Sequence, residues 1–196
     1  MQLRDMAIYG VHAAVWASFG ITRRVVGGHA VTAPAPTVSE ARTAPHSRLL
    51  LAVHSVAFGV MYMGVGSAVF ADRVPVWFAG QRLAGTAIMA LGAWLMCWSL
   101  TYFKSWRFRA QLDAGHELAT GGPYAWVRHP IYAGLNFLAL GTAIWIPNVL
   151  AWAGVVLMFL GSDLRGRAEE RLLMAAFGDQ YRAYSARTRR FVPGVY

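Results

Sequence analysis

The sequence predicts an all-α, polytopic integral membrane protein. Hydrophobic residues make up 57% of its 196 residues and charged residues only 14%, a balance typical of membrane-spanning chains and not of soluble domains. Apolar runs of about membrane-spanning length alternate with arginine-rich connections, and 15 of the 18 lysine and arginine residues fall on one predicted side. This pattern predicts about five transmembrane segments, with the N-terminus outside and the C-terminus in the cytoplasm.

The first half of the chain is expected to supply three membrane helices, and we expect the N-terminal run to be a retained helix and not a cleaved signal peptide. Proline and glycine in residues 22–48 predict a loop. Gly64 and Gly66 are expected to allow close helix packing, and His54 is expected to be a hydrogen-bonded packing residue. The three apolar runs are residues 6–21, 49–71 and 83–103.

The second half begins with a polar segment, residues 104–130, and continues with two apolar runs of about 16 residues each. Pro147-Asn148 separates these runs, and so short a break predicts an antiparallel helical hairpin. A basic helix is expected over residues 165–190. The two apolar runs of the hairpin are residues 131–146 and 149–164. We interpret residues 1–196 as one membrane domain with two parts, residues 1–103 and 104–196.

The stretch 121–134, GGPYAWVRHPIYAG, is the strongest candidate for a functional site. Its Arg128 and His129 stand at the entrance to a membrane segment, where ionisable groups are costly and mark function by default. Pro130 suits the first turn of the helix that follows. The competing interpretation is an interfacial belt of aromatic side chains with one basic anchor.

A second polar group follows the last apolar run. Arg165 and Glu169 are four positions apart and therefore share one face of a helix, with Glu170 beside them. The competing interpretation is a solvated helix end whose surface ion pair contributes little. Together with the aromatic stretch, these residues would suit a small cofactor that carries a flat base, an amine and a carboxylate.

Several other classes of site are disfavoured. Cys97 is the single cysteine, so a disulfide or a cysteine-based metal site within the monomer is excluded, and His116 and His129 have no companion ligands at metal-binding spacing. No metal is therefore expected. The net charge of +9 is attributed to cytoplasmic loops and anionic lipid headgroups, and no nucleic-acid partner is expected.

Two stretches, GGPYAWVRHPIYAG and EERLLMAAFGDQYRAY, resemble the isoprenylcysteine carboxyl methyltransferase family. The family pattern Arg-His-Pro-x-Tyr-x-Gly, then Gly-Thr, then Glu-Glu-x-x-Leu-x-x-x-Phe-Gly-x-x-Tyr-x-x-Tyr occurs here in that order, within residues 105–190. The family often has Asn-Pro after Gly-Thr, whereas this chain has Pro147-Asn148. The matching residues are Arg128, His129, Pro130, Tyr132, Gly134, Gly141, Thr142, Glu169, Glu170, Leu173, Phe177, Gly178, Tyr181 and Tyr184.

The resemblance implies S-adenosyl-L-methionine as cofactor, with S-adenosyl-L-homocysteine as product. It places Arg165 near the methyl acceptor and gives catalytic roles to Arg165 and His129. Arg109 is the weakest of the implied cofactor contacts. By position, the cofactor-binding residues would be Arg109, His116, Glu117, Leu118, Ala119, Tyr124, His129, Pro130, Ile131, Tyr132, Glu169 and Glu170.

The favoured function is therefore methyl transfer to a lipophilic or small acceptor, such as an isoprenylcysteine-like carboxylate, a thiol or a lipid amine. The enzyme is expected in the cytoplasmic membrane of a prokaryote, with its site facing the cytoplasm and with membrane lipids as partners. Two alternatives remain: an NADPH-dependent membrane reductase of the sterol-reductase type, and a non-catalytic lipid-binding protein. The acceptor atom and the oligomeric state stay open.

Overall fold

The computed structural model describes residues 3–27, 42–44, 46–71, 74–102, 111–112 and 118–196. Five α-helices dominate these residues, joined by one 3₁₀ turn, Gly122–Ala125, and by two strands of two residues each that pair antiparallel. The strands are the one departure from the predicted all-α fold. The elements are α1 (Leu3–Gly27), β1 (Arg42–Thr43), α2 (Ser47–Phe70), α3 (Gln81–Tyr102), β2 (Gln111–Leu112), α4 (Pro130–Trp145) and α5 (Val149–Arg187).

Three of the described helices, α2, α3 and α5, are long and apolar enough to cross a membrane. The fourth apolar helix, α4, has 16 residues and is therefore about 24 Å long, shorter than a bilayer core of about 30 Å. The first helix, α1, has 25 residues but is not among the helices apolar enough to be a candidate span. The structure thus supports a multi-pass membrane protein with three clear spans, where five segments were expected.

Glycines hold α3 and α4 in backbone contact. A Cβ atom on Gly85 would lie 2.6 Å from the carbonyl oxygen of Gly141, and one on Gly92 would lie 2.6 Å from that of Gly134. The contact nearer the start of α3 is the one nearer the end of α4, so α3 and α4 are antiparallel. Small residues permit such close approach in membranes, and here they fix the position of the helix that follows the Arg-His-Pro triplet.

A second antiparallel pair joins α2 to α5. A Cβ atom on Gly64 would lie 2.7 Å from the backbone nitrogen of Ala151, and one on Gly154 would lie 2.7 Å from Cβ of Met61. The packing role predicted for Gly64 is therefore confirmed. Gly66 has no such neighbour among the residues that the structure describes, where the nearest atom to its Cβ position belongs to Phe70 of its own helix, at 3.9 Å.

The predicted hairpin between α4 and α5 is confirmed. Asn148 caps α5 by accepting a hydrogen bond from the backbone nitrogen of Ala151 at 3.0 Å, as expected for an N-cap asparagine. Its side-chain nitrogen donates to the carbonyl of Gly64 at 3.0 Å. The turn between the helices is thereby fastened to α2.

The helix α5 continues beyond the predicted end of its membrane part. Its 39 residues would extend for roughly 58 Å, almost twice the thickness of a bilayer core. Its apolar part, residues 149–164, is as short as α4, and the charged part that follows is assigned to the space beyond the membrane. Gly178 interrupts the helix with φ 51° and ψ −122°, a conformation that favours glycine.

Candidate functional site

The stretch 121–134 begins with a tight turn. Gly122 has φ +56°, and a Cβ atom there would lie 2.5 Å from the ring of Tyr102, so both the backbone conformation and the space require glycine. Pro123 occupies the first turn of the 3₁₀ segment. Tyr124 is buried, and its carbonyl accepts a hydrogen bond from the Tyr184 hydroxyl at 2.7 Å, which fastens the turn to α5.

The Arg-His-Pro triplet is held by the segment that follows α5. The backbone nitrogen of Arg128 donates to the carbonyl of Arg189 at 2.7 Å, and that of His129 donates to the carbonyl of Arg190 at 3.1 Å. His129 then caps α4, with Pro130 as the first helical residue. The result is that the side chain of His129 faces α5.

His129 lies between two carboxylates. Its Nδ1 is 3.5 Å from Oε2 of Glu169, and its Nε2 is 3.2 Å from Oε1 of Glu170. Gly166 permits this approach, because a Cβ atom there would lie 3.3 Å from the imidazole ring. Burial lowers the pKa of His129, but the contacts with Glu169 and Glu170 outweigh it and hold this pKa above its ordinary value. The buried ring is thus favoured as a cation.

Glu170 is the meeting point of three cationic side chains. Arg128 Nε donates to its Oε1 at 2.8 Å, and Arg190 donates to both oxygens, at 3.1 and 2.7 Å. Burial raises the pKa of Glu170, but hydrogen bonds from His129, Arg190 and Arg128 hold it well below its ordinary value. Glu170 therefore ties the triplet, α5 and the C-terminal segment together.

Glu169 has a different environment. The Tyr132 hydroxyl donates to its Oε1, and 23% of its side chain is exposed. Burial raises the pKa of Glu169, but His129, the positive charge of Arg165 and the Tyr132 hydroxyl keep it below its ordinary value. The carboxylate is therefore ionised, oriented and still partly accessible.

Arg165 lies one helical turn before Glu169, as predicted, and only 4% of it is exposed. Its guanidinium carbon is 5.0 Å from the centre of the Tyr132 ring, within the range of a cation–π contact. The structure thus brings His129, Arg165 and Glu169 together around Tyr132.

The N-terminal half contributes His54 to this cluster. Its ring stacks on Tyr132, with centres 5.7 Å apart, and its Nε2 lies 3.2 Å from the Ser162 hydroxyl. The expectation that His54 is a hydrogen-bonded packing residue is confirmed. Its position beside Tyr132 was not predicted. The sequence held no signal for it, since 78 positions separate the two residues.

The remaining predicted contacts are distributed around this cluster. Pro130 and Ile131 are buried in the first turn of α4, and Leu118 and Ala119 are half-buried ahead of the 3₁₀ turn. Arg109, His116 and Glu117 lie outside the described residues.

The C-terminal segment, residues 188–196, follows α5 and closes one side of the cluster. The Phe191 ring packs 6.1 Å from that of His129. Arg190 Nη1 donates to Asp163 at 2.8 Å, and the Tyr196 hydroxyl donates to the same carboxylate at 2.7 Å. The only sequence signal for this role was the positive charge of Arg190.

Comparison of the sequence with known proteins finds relatives among methyltransferases. The family described as phospholipid methyltransferase matches residues 81–180. A protein-S-isoprenylcysteine O-methyltransferase of Tribolium castaneum is 34% identical over 123 residues, which is 61% of this chain and 40% of that protein. The Arabidopsis thaliana protein-S-isoprenylcysteine O-methyltransferase B is 33% identical over 119 residues, 59% of this chain and 55% of that protein.

A third relative, an uncharacterised protein of Haemophilus influenzae, is 35% identical over 63 residues. The match covers 32% of this chain and the whole of that protein. By contrast, this chain spans about half or less of the length of the two named methyltransferases.

Proposed function

The chain belongs to the phospholipid methyltransferase family, and from this premise we propose that it is an integral membrane enzyme that transfers a methyl group from S-adenosyl-L-methionine to a lipophilic acceptor. The observation that carries the proposal is the convergence of two distant stretches of sequence. His129 and Tyr132, from the first stretch, both contact Glu169, from the second, 40 and 37 positions away.

The residues of the cluster fit the proposed cofactor. S-adenosyl-L-methionine carries an ammonium, a carboxylate and a sulfonium. Glu169 offers an ionised, partly accessible carboxylate for a cation, and a charge-assisted hydrogen bond of this kind is strong. Tyr124, which the family resemblance assigns to the cofactor site, is proposed to contact the flat base.

The two glutamates are proposed to have different roles. Glu170 is already shared by Arg128, His129 and Arg190, so little of its hydrogen-bonding capacity remains for a ligand. We assign Glu169 to the ligand and Glu170 to the assembly of the site.

His129 is proposed to act mainly through Glu169. Because both of its ring nitrogens face carboxylates, it has no nitrogen left to donate to the carboxylate of a cofactor. Its charge keeps Glu169 ionised and fixes its orientation, and Tyr132 holds the same carboxylate from the other side. His129 is thus a positioning residue.

Arg165 is proposed to face the acceptor. It lies where the apolar part of α5 ends, which is where an acceptor embedded in the bilayer would meet the cluster. Its planar guanidinium can hold an anionic acceptor by two parallel hydrogen bonds.

Methyl transfer requires little from the protein beyond correct placement of the two reactants. When bound, the cofactor would supply a methyl group on a positively charged sulfur, for transfer to the acceptor atom with loss of the carbon–sulfur bond. A carboxylate or thiolate acceptor needs no general base, so the residues of the site would contribute by alignment and by exclusion of water.

Ligand binding tests the proposal. Calorimetry on the purified chain in detergent should show binding of S-adenosyl-L-homocysteine and none of NADPH, and methyl-radiolabelled cofactor should label a lipid fraction of native membranes. Glu169→Gln should abolish both signals. Asp179→Asn is the matched control, because Asp179 is an exposed carboxylate of the same helix. Binding of NADPH alone would support a reductase, and binding of neither ligand would support a non-catalytic lipid-binding protein.

A further inference from the structure

The second helix places one buried imidazole against the proposed site. His54 lies on the buried face of α2, and only 3% of it is exposed. Its ring stacks on that of Tyr132, with centres 5.7 Å apart and planes inclined by 26°. Since the family match begins at residue 81, α2 makes this contact from outside the matched part of the chain.

Hydrogen bonds fix the orientation of the His54 ring. The Ser162 hydroxyl lies 3.2 Å from its Nε2 and donates its hydrogen to Oδ1 of Asn136 at 3.3 Å. Because that hydrogen is committed to Asn136, the contact with His54 requires a hydrogen on Nε2, which Ser162 accepts. Gly161 lies close to the other nitrogen, since a Cβ atom there would be 3.4 Å from Nδ1. The imidazole is therefore confined on both sides while its face meets Tyr132.

The position of the Tyr132 ring decides where its hydroxyl points. Tyr132 is buried, and the hydroxyl donates to Oε1 of Glu169. A hydrogen bond weakens steeply as its donor turns away from the acceptor, so a tilted ring would lose its hold on this carboxylate. His129 and Arg165 contact the ring from the start of α4 and from α5. The contact from His54 adds the restraint of a separate helix.

We propose that His54 is a positioning residue of the methyl transfer: its ring holds Tyr132 in place, so that the hydroxyl keeps Glu169 oriented toward the ammonium of the cofactor. This inference rests on the proposed function and adds to it a residue of the N-terminal half. His54 acts through the face of its ring, and a phenyl ring can therefore take its place. Its effect reaches the cofactor only while the Tyr132 hydroxyl is present.

The test measures binding of S-adenosyl-L-homocysteine to the full chain in detergent by calorimetry. His54→Leu should bind about fivefold more weakly than the wild type, as expected when one hydrogen bond is weakened, whereas His54→Phe should stay within about twofold. In a Tyr132→Phe background, His54→Leu should cause no further loss, because the hydroxyl that His54 positions is absent. A merely structural role would weaken binding equally in both backgrounds.

His12→Leu is the matched control. His12 is also a buried histidine of the helical bundle, and its ring nitrogens lie 2.9 Å from the Tyr62 hydroxyl and 3.0 Å from that of Thr142. Its replacement should lower the thermal unfolding midpoint at least as much as His54→Leu does, because it breaks two buried hydrogen bonds. The affinity for S-adenosyl-L-homocysteine should not change.

Unchanged affinity in His54→Leu, an equal loss in His54→Phe, or an equal loss in the Tyr132→Phe background would each overturn the inference. His54→Met replaces His54→Leu in these comparisons if the latter does not fold. If the wild type does not bind S-adenosyl-L-homocysteine, the proposed function fails, and denaturant unfolding tests the contact by itself. Glu169→Gln should then lower the unfolding midpoint of the wild type more than that of His54→Leu, and equal shifts would overturn the role of His54.

Discussion

Tyr132 donates its hydroxyl hydrogen to Glu169, while its ring is contacted by His54, His129 and Arg165. One side chain thus links the Arg-His-Pro stretch to the glutamate pair and to the second helix. The hydroxyl orients Glu169, whereas the ring packs against the other three side chains. A substitution that removes only the hydroxyl therefore separates the two roles.

Tyr132→Phe keeps the ring contacts and removes only the hydroxyl donor. We expect S-adenosyl-L-homocysteine to bind about 5- to 10-fold more weakly, because Glu169 loses one of its two orienting partners. The thermal unfolding midpoint should change little. Calorimetry and thermal unfolding in the same detergent measure the two effects. Unchanged affinity would show that Glu169 needs no help from Tyr132.

Glu170→Gln should reduce stability more than Glu169→Gln does. It removes the carboxylate that Arg128, His129 and Arg190 share, and the loss of one member of a buried charge cluster costs about 3 kcal/mol. Denaturant unfolding of the two variants side by side gives the comparison. If Glu169→Gln is the more destabilising change, our division of roles between the glutamates is wrong.

Arg165→Ala should leave cofactor binding nearly intact and lower kcat and kcat/KM together for an anionic acceptor, as expected when an interaction of the transition state is lost. Arg165→Lys should restore only part of the activity, since an ammonium cannot make the planar two-pronged contact. Steady-state kinetics with both substrates varied will check this. A loss confined to the KM for the cofactor would reassign Arg165 to the cofactor side.

The stability of the protein should fall both at high pH and at low pH. The folded-state pKa of His129 lies above its ordinary value of 6.5, so its contribution is complete below 6.5 and is lost as the pH rises through the raised pKa. Glu170 has a lowered pKa, so its contribution is complete above its ordinary value of 4.5 and is lost as the pH falls from there. Thermal unfolding across pH measures both limbs, and His129→Gln should flatten the alkaline one. An unchanged alkaline limb in His129→Gln would exclude the imidazolium as its cause.

The predicted orientation puts the cluster on the cytoplasmic face. In a Cys97→Ser background, Val195→Cys should be protected from an impermeant thiol reagent in intact cells, and Val76→Cys should be labelled; both positions are exposed. Labelling of the two in the opposite sense would place the site outside.

Much of this arrangement could be predicted from local sequence. The apolar runs predicted the bounds of α2 and α3 and the position of the hairpin turn to within a few residues. The four-residue spacing of Arg165 and Glu169 predicted that they share one face of a helix. The pairing of Glu170 with Arg190 could not be predicted, because the Gly178 interruption and a return of the backbone lie between them. The place of His54 was equally hidden, since it depends on how closely Gly154 and Gly161 let α2 approach α5.

The shortness of α4 has a consequence for how a lipid would be handled. A helix of about 24 Å in a bilayer core of about 30 Å would create a hydrophobic mismatch, which local thinning of the membrane can relieve. Its first residue, Pro130, and the cluster beside it would then lie below the plane of the surrounding head groups. Lifting a lipid into water would cost about 0.8 kcal/mol for each exposed methylene, so a cluster at that depth would allow the proposed lipophilic acceptor to remain within the bilayer.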